Sequence, residues 1–189
     1  MKTLIILSSI FALVGPALYI FSIVKGKAQP HRMTRFVLMI VVLVATFSFY
    51  AAGDTPTFIM SAVLLVGNIA MFLLSIKYGV GGWAKSDILC LIIAIIGIIL
   101  WQVSGNPLLS IYSLVVADLV AMLPTIIKSY RRPDTEVWYL FFCDILANIC
   151  ILAAHKEITF NEYVYPGYLV LVNIVVVLFI MRKRTHLEI

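Results

Sequence analysis

The sequence predicts an all-α, polytopic membrane protein with seven transmembrane helices in a 3+1+3 arrangement of parallel three-helix repeats. Three observations carry that expectation: the composition, seven punctuated apolar runs, and basic residues gathered on one side. Of 189 residues, 63% are apolar and 12% are charged, and the mean hydropathy is +1.09. A soluble domain is about 45–50% apolar and roughly 25% charged. A water-soluble globule of this length could not cover so much apolar surface with a polar shell. That sets aside a soluble enzyme, a disordered chain and a nucleic-acid-binding domain.

A helix needs about 20 mostly apolar residues to cross the hydrocarbon core. The runs 4–24, 36–52, 57–76, 88–103, 108–127, 137–154 and 164–181 reach or approach that length. The first is longer than the roughly 7–15 residues of a signal-peptide core. Lys25 and Lys27 follow it where cleavage would need small neutral residues, so the first helix is expected to be retained. Gly26 and Pro30 separate it from the second run. Gly53-Asp54-Thr55-Pro56, the stretch from Gly79 to Gly82, Gly105-Asn106-Pro107, Pro133, and the stretch from His155 to Glu162 divide the rest. The connections are too short for a soluble domain. The runs are continuously apolar, which argues against a β-barrel.

The basic residues set an orientation. With the N-terminus outside, one face receives Lys25, Lys27, Arg32, Arg35, Lys77, Lys85, Lys128, Arg131, Arg132, Arg182, Lys183 and Arg184, twelve of the fourteen. The other receives Lys2 and Lys156. A 12:2 division predicts an N-out, C-in protein of the plasma (inner) membrane, and the net charge of +5 reads as topology. Cys90, Cys143 and Cys150 all lie inside apolar runs. They offer neither a disulfide framework nor a metal motif and read as lipid-facing or packing residues.

The chain repeats itself. Pro16 lies in the first span and a basic loop follows. Asn68 comes 52 residues later, in the third span. Pro124 lies in the fifth span and a basic loop follows. Asn173 comes 49 residues later, in the seventh. Gly67-Asn68-Ile69 matches Val172-Asn173-Ile174, with Lys77 and Arg182 each nine residues on. The chain divides into a first three-helix bundle (1–80), a linker helix (81–106) and a second bundle (107–189). The linker crossing lets the second bundle start from the same side as the first, as parallel repeats require.

On Pro16, on Leu123-Pro124-Thr125 with its basic loop, and on the paired Asn68 and Asn173, the chain resembles the SWEET/PQ-loop transporters. The resemblance implies two three-helix bundles, an N-out topology, Asn68 and Asn173 facing a central substrate pocket, and Pro16 and Pro124 acting as hinges. Ala17 and Thr125 stand where that family's motif has glutamine. Spans two and six lack proline, and their outer ends lack the pocket tryptophans of sugar carriers. The resemblance thus implies the architecture rather than a sugar as solute. Nicotinamide riboside vitamin transporters of the PnuC type share the architecture and are the nearest rival.

Polar groups deep in a span need a reason. Asp118 and Asp144 lie well inside spans five and six, and Asn148 is one turn from Asp144 on the same face. At about 1.5 Å per residue, Asp144 is about 10 Å deep, Asp118 about 13 Å and Asn148 about 16 Å, with Asn68 and Asn173 near the midplane. Five polar groups from four helices converge on the layer where secondary transporters hold substrate. Asp144 or Asp118 is expected to bind a cationic group or a coupling proton, against a structural role as interhelical glue. Tyr19, Phe47, Phe49 and Tyr50 could stack on a ring substrate. Trp83, Trp101 and Trp138 read as interface anchors.

The resulting expectation is a transporter of a small polar solute (sugar, nucleoside, amino acid or vitamin), with the lipid bilayer as its other partner and a homo-oligomer left open. No cofactor, metal or nucleic acid enters this reading. A retinal protein would need a lysine in span seven, which has none. His31, His155 and His186 lie in loops or tails without metal spacing, which argues against an enzyme. No filter loop or charge ring suggests a channel. A non-transporting receptor or assembly factor is the alternative.

Overall fold

A computed structural model describes residues 2–51, 55–82, 85–103, 107–154 and 160–182. Among them are seven α-helices: α1 (Lys2–Val24), α2 (Arg32–Ala51), α3 (Thr55–Tyr78), α4 (Lys85–Val103), α5 (Pro107–Arg131), α6 (Trp138–Ala154) and α7 (Phe160–Met181). A short 3-10 turn spans Pro133–Thr135. No strand occurs among the described residues; His31 and Val80 form an isolated bridge. Trp83, His155, Lys156, Lys183, Arg184, His186 and the turn at Gly53 lie outside the described residues, as do the side chains of Phe49 and Trp101.

Two helices outrun their apolar stretches. α2 begins at Arg32 rather than residue 36, and α5 continues to Arg131 rather than residue 127. Arginine and lysine are good helix formers, so helix continues where apolarity ends. Pro133, lacking an N–H, stands just beyond the end of α5. Arg32, Arg35, Lys128 and Arg131, which lie outside the apolar runs, stand on helical turns. Pro16 and Pro124 lie inside α1 and α5 as expected, and Pro166 lies inside α7.

The helices close into a ring. α3 packs between α1 and α2, and α7 packs between α5 and α6. The two sets of three thus have the same internal order. α1 meets α6 and α2 meets α5, which completes the circuit. Among the described residues α3 and α7 make no contact across the middle. α4 lies outside the ring, mainly against α5 and partly against α2.

Two glycines set close approaches. A Cβ on Gly15 of α1 would lie 2.9 Å from the Cβ of Cys143 on α6. A Cβ on Gly97 of α4 would lie 2.8 Å from the Cβ of Ala117 and 3.0 Å from the carbonyl oxygen of Ser113, both on α5. The core gathers toward the end of the ring that bears the basic turns. There Tyr19, Met71, Met122, Leu140, Phe141 and Val176 are buried together. A second cluster joins α2, α4 and α5 through Val37, Val41, Ala94, Ile98, Ala117 and Ala121.

The outer face is apolar and open. Ile6, Phe21, Val66, Leu171 and Leu178 are each more than half exposed. Among the described residues, Thr3–Val24 and Tyr163–Met181 are long and apolar enough to cross a membrane, with mean hydropathy 2.3 in each. Ala62–Tyr78, Asp87–Leu100 and Trp138–Ala154 are apolar but shorter.

Candidate functional site

A cavity of about 300 Å³ lies within the ring, and all five polar residues singled out from the sequence line it. Its walls follow helical spacing. α3 contributes Leu64, Asn68 and Met71; α6 contributes Leu140, Asp144 and Asn148; α7 contributes Tyr165, Leu169 and Asn173. These are steps of three or four residues, one face of each helix. α5 adds Asp118, and α1 adds Ala12 and Pro16. α2 adds Arg35, Leu38, Val41 and Val42, again one face.

The three asparagines share one geometry. Each donates its side-chain N–H to the carbonyl four residues earlier: Asn68 to Leu64 at 3.0 Å, Asn148 to Asp144 at 2.8 Å, Asn173 to Leu169 at 2.9 Å. A donor spent on its own helix contributes nothing to holding helices together. No hydrogen bond from these three side chains to another helix occurs among the described residues, and each keeps its amide oxygen and a second N–H. The carboxylates differ from each other. Asp118 is buried and accepts a 2.9 Å bond from the Tyr168 hydroxyl. No hydrogen-bond donor among the described residues reaches the Asp144 carboxylate.

Sequence reasoning missed Arg35 and Tyr165. By sequence Arg35 is one of the twelve cations of the basic face, but it is 6% exposed and lines the cavity. Its guanidinium lies over the Tyr19 ring at 4.5 Å, and Nη1 approaches the Met71 sulfur at 3.7 Å. The signal was helical phase: Arg35 is three residues before Leu38 and seven before Val42, on their face.

Of the proposed stacking residues, Tyr19, Phe47 and Tyr50 do not line the cavity. Phe47 and Tyr50 are 65% and 68% exposed, because the face of α2 through Arg35, Leu38 and Val42 turns them outward. Tyr19 is fully buried and belongs to the core. Trp138 packs edge-on against Tyr139 and Phe142, with ring centroids 6.0 and 5.6 Å away. Pro16 lines the cavity; Pro124 is buried but is not part of its wall. Thr125, beside Pro124, donates at 2.9 Å to Thr34, which donates at 2.8 Å to the Ala121 carbonyl, tying α5 to α2.

At the basic end, below the cavity, a polar network joins the two sets of three helices. Tyr19 donates to Glu136 at 2.8 Å, and the Lys128 ammonium pairs with the same carboxylate at 2.5 Å. Lys128 also donates to the Gln29 carbonyl, and the Gln29 amide donates to the Thr135 carbonyl at 2.7 Å. Ser22 and Tyr139 are hydroxyl-to-hydroxyl partners. Tyr19, Ser22 and Gln29 belong to the first part of the chain; Lys128, Thr135, Glu136 and Tyr139 belong to the second.

A second polar cluster seats the start of α4. Asp87 accepts from the Gly82 amide at 2.9 Å and lies 3.8 Å from Nε2 of His31. Arg32 donates to the Ser75 and Gly81 carbonyls at 3.1 and 3.2 Å. Burial pushes the His31 imidazole below its ordinary value of 6.5, against the opposing pull of Asp87.

Among the described residues no group of histidine, cysteine or carboxylate side chains is placed to hold a metal ion. The cavity can bind a small molecule through a guanidinium, carboxylates, amide oxygens and a tyrosine, with apolar walls between them. No family model, curated protein or solved structure matches the chain.

Proposed function

We propose that the protein is a seven-helix membrane transporter of the SWEET/PQ-loop type that carries a small polar solute by alternating access. In this reading the ring spans the bilayer with its N-terminus outside and its basic end cytoplasmic. The open apolar outer face supports that placement, since soluble monomers rarely leave large contiguous apolar patches in water. Six helices form the ring, α1–α3 as one bundle and α5–α7 as the other, and α4 is the linker crossing that lets them run parallel. The identical internal order of the two sets supports this division.

The observation that carries the proposal is the cavity. It gathers Asn68, Asn173, Asp118, Asp144 and Asn148 from four helices into one space. Its volume of about 300 Å³ is at the lower end for ligand pockets. The Tyr19–Glu136–Lys128 network closes the cytoplasmic end in this conformation, and exchange of access requires the two bundles to part there. Pro16, in the cavity wall, is placed to let α1 bend as they do; Pro124 acts as a hinge from outside the wall.

The test is uptake by the purified protein in liposomes. Sugars, nucleosides, amino acids and water-soluble vitamins are offered with and without a pH gradient. Saturable flux of at least one solute is expected; dependence on the gradient would assign a coupling proton to Asp144 or Asp118. Tight binding without flux would overturn transport in favour of a receptor.

A further inference from the structure

The solute's chemical class follows from two charges that face the cavity without a direct ion pair among the described residues, an inference that rests on the transport reading of the same cavity. Arg35 carries five N–H donors on a group that stays protonated. Around it the described residues supply the ring and hydroxyl of Tyr19 and a thioether sulfur, and no carboxylate lies within ion-pair distance. A buried guanidinium without an anion is costly. Asp144 is its counterpart. Its carboxylate faces the same cavity with no donor in reach, and Asn148 beside it bonds the Asp144 backbone rather than its side chain. Lys128 is paired with Glu136, and Asp118 already accepts a hydrogen bond from Tyr168, so Asp144 is the cavity carboxylate left without a donor among the described residues.

Arg35 and Asp144 feel each other's charge across the cavity but do not touch, and they stand on helices at opposite sides of the ring, α2 and α6. We propose that the cavity binds a small zwitterion of the amino-acid class, with its carboxylate on Arg35 and its ammonium on Asp144. The planar guanidinium fits a carboxylate through two parallel bonds. The free amide oxygens of Asn68 and Asn173 accept the remaining ammonium protons. A neutral sugar would leave both charges unmet. A simple amine would leave Arg35 unmet, and a simple carboxylic acid would leave Asp144 unmet. One molecule carrying both ends satisfies both and links the two bundles through itself.

The experiment is a thermal-shift series on the full-length protein in detergent, since a ligand bound to the native state raises its melting temperature. The probes are leucine and phenylalanine, the matched amines isoamylamine and phenethylamine, the matched acids isocaproate and hydrocinnamate, and glucose and uridine. The amino acids are expected to raise the melting temperature, and the one-ended analogues to leave it nearly unchanged at the same millimolar concentration. Asp144→Asn and Arg35→Gln should each abolish the amino-acid shift, and Arg35→Lys should retain part of it. Asp144→Asn keeps the test valid if Arg35→Gln does not fold. Equal shifts from a one-ended analogue, or a full amino-acid shift in Asp144→Asn, would overturn the zwitterion. A shift with glucose or uridine and none with amino acids would overturn it while leaving transport standing. Silence across all eight probes, with flux of another solute in liposomes, would do the same.

Discussion

Tyr19 of α1 donates a 2.8 Å hydrogen bond to Glu136, 117 residues later in the chain, and the same carboxylate holds the buried Lys128 ammonium at 2.5 Å. Both partners depend on Glu136, but by different amounts. Glu136→Ala strands a buried charge, which costs about 3–5 kcal/mol. Tyr19→Phe removes one bond to a charged group, about 1.5–3 kcal/mol. Unfolding in detergent should therefore rank Glu136→Ala as clearly the less stable. Equal losses would show that Lys128 finds another counter-charge.

Asn68 and Asn173 each spend a donor on their own helix, so replacing them should affect the solute more than the fold. Asn68→Leu and Asn173→Leu are each expected to reduce uptake at low solute concentration about tenfold, the effect of one lost interaction of about 1.4 kcal/mol. Melting temperatures should stay near the parent's. Collapse of the fold with loss of uptake would return the asparagines to a structural role.

Gly97 lets α4 touch α5. An added methyl would meet the Cβ of Ala117 at 2.8 Å and the Ser113 carbonyl at 3.0 Å, neither of which can swing aside. Gly97→Ala should cost about 1–3 kcal/mol, as overpacking does. Gly67→Ala is the control, because nothing lies within 4 Å of the added carbon. If the two melt alike, α4 is not seated through Gly97.

Burial holds the His31 imidazole below its ordinary value of 6.5, against the pull of Asp87. The unfolded chain takes up its proton as pH falls through about 6.5, while the folded chain takes it up only at lower pH. Stability from this group is therefore present above that value and lost below it, by at most about 1.4 kcal/mol per pH unit. His31→Gln should lose stability less steeply than the parent between about pH 6.5 and 5. Parallel curves would mean that burial does not shift His31, and a parent that loses stability less steeply than the variant would mean that pairing with Asp87 outweighs burial.

The helices and the cavity's polar residues were legible because a helix with one polar residue among apolar neighbours has few places to put it. Asn68, Asn173 and Asp144 each interrupt a long apolar run, and their faces point to one space. Arg35 was not legible by charge counting, because a basic residue at the edge of an apolar run looks like a loop cation. Its phase with Leu38 and Val42 decides its place, and phase has meaning only once the start of the helix is known. Glu136 was hidden for a different reason. It sits in a short loop segment, and its burial comes from Tyr19 and Lys128 folding over it. The Tyr19 contact, 117 residues away in sequence, leaves no local pattern.

The central claim is that Asn68 lines a cavity reached alternately from the two sides of a membrane. The direct measurement uses a single cysteine at that position (Asn68→Cys, with Cys90, Cys143 and Cys150 replaced by alanine). It is labelled in sealed vesicles by a membrane-impermeant maleimide applied from outside or from inside. The account predicts labelling from each side, slowed from both by a transported solute, and faster from the inside when Tyr19→Phe loosens the closed end. Labelling from one side only, unchanged by any solute and by Tyr19→Phe, would contradict it.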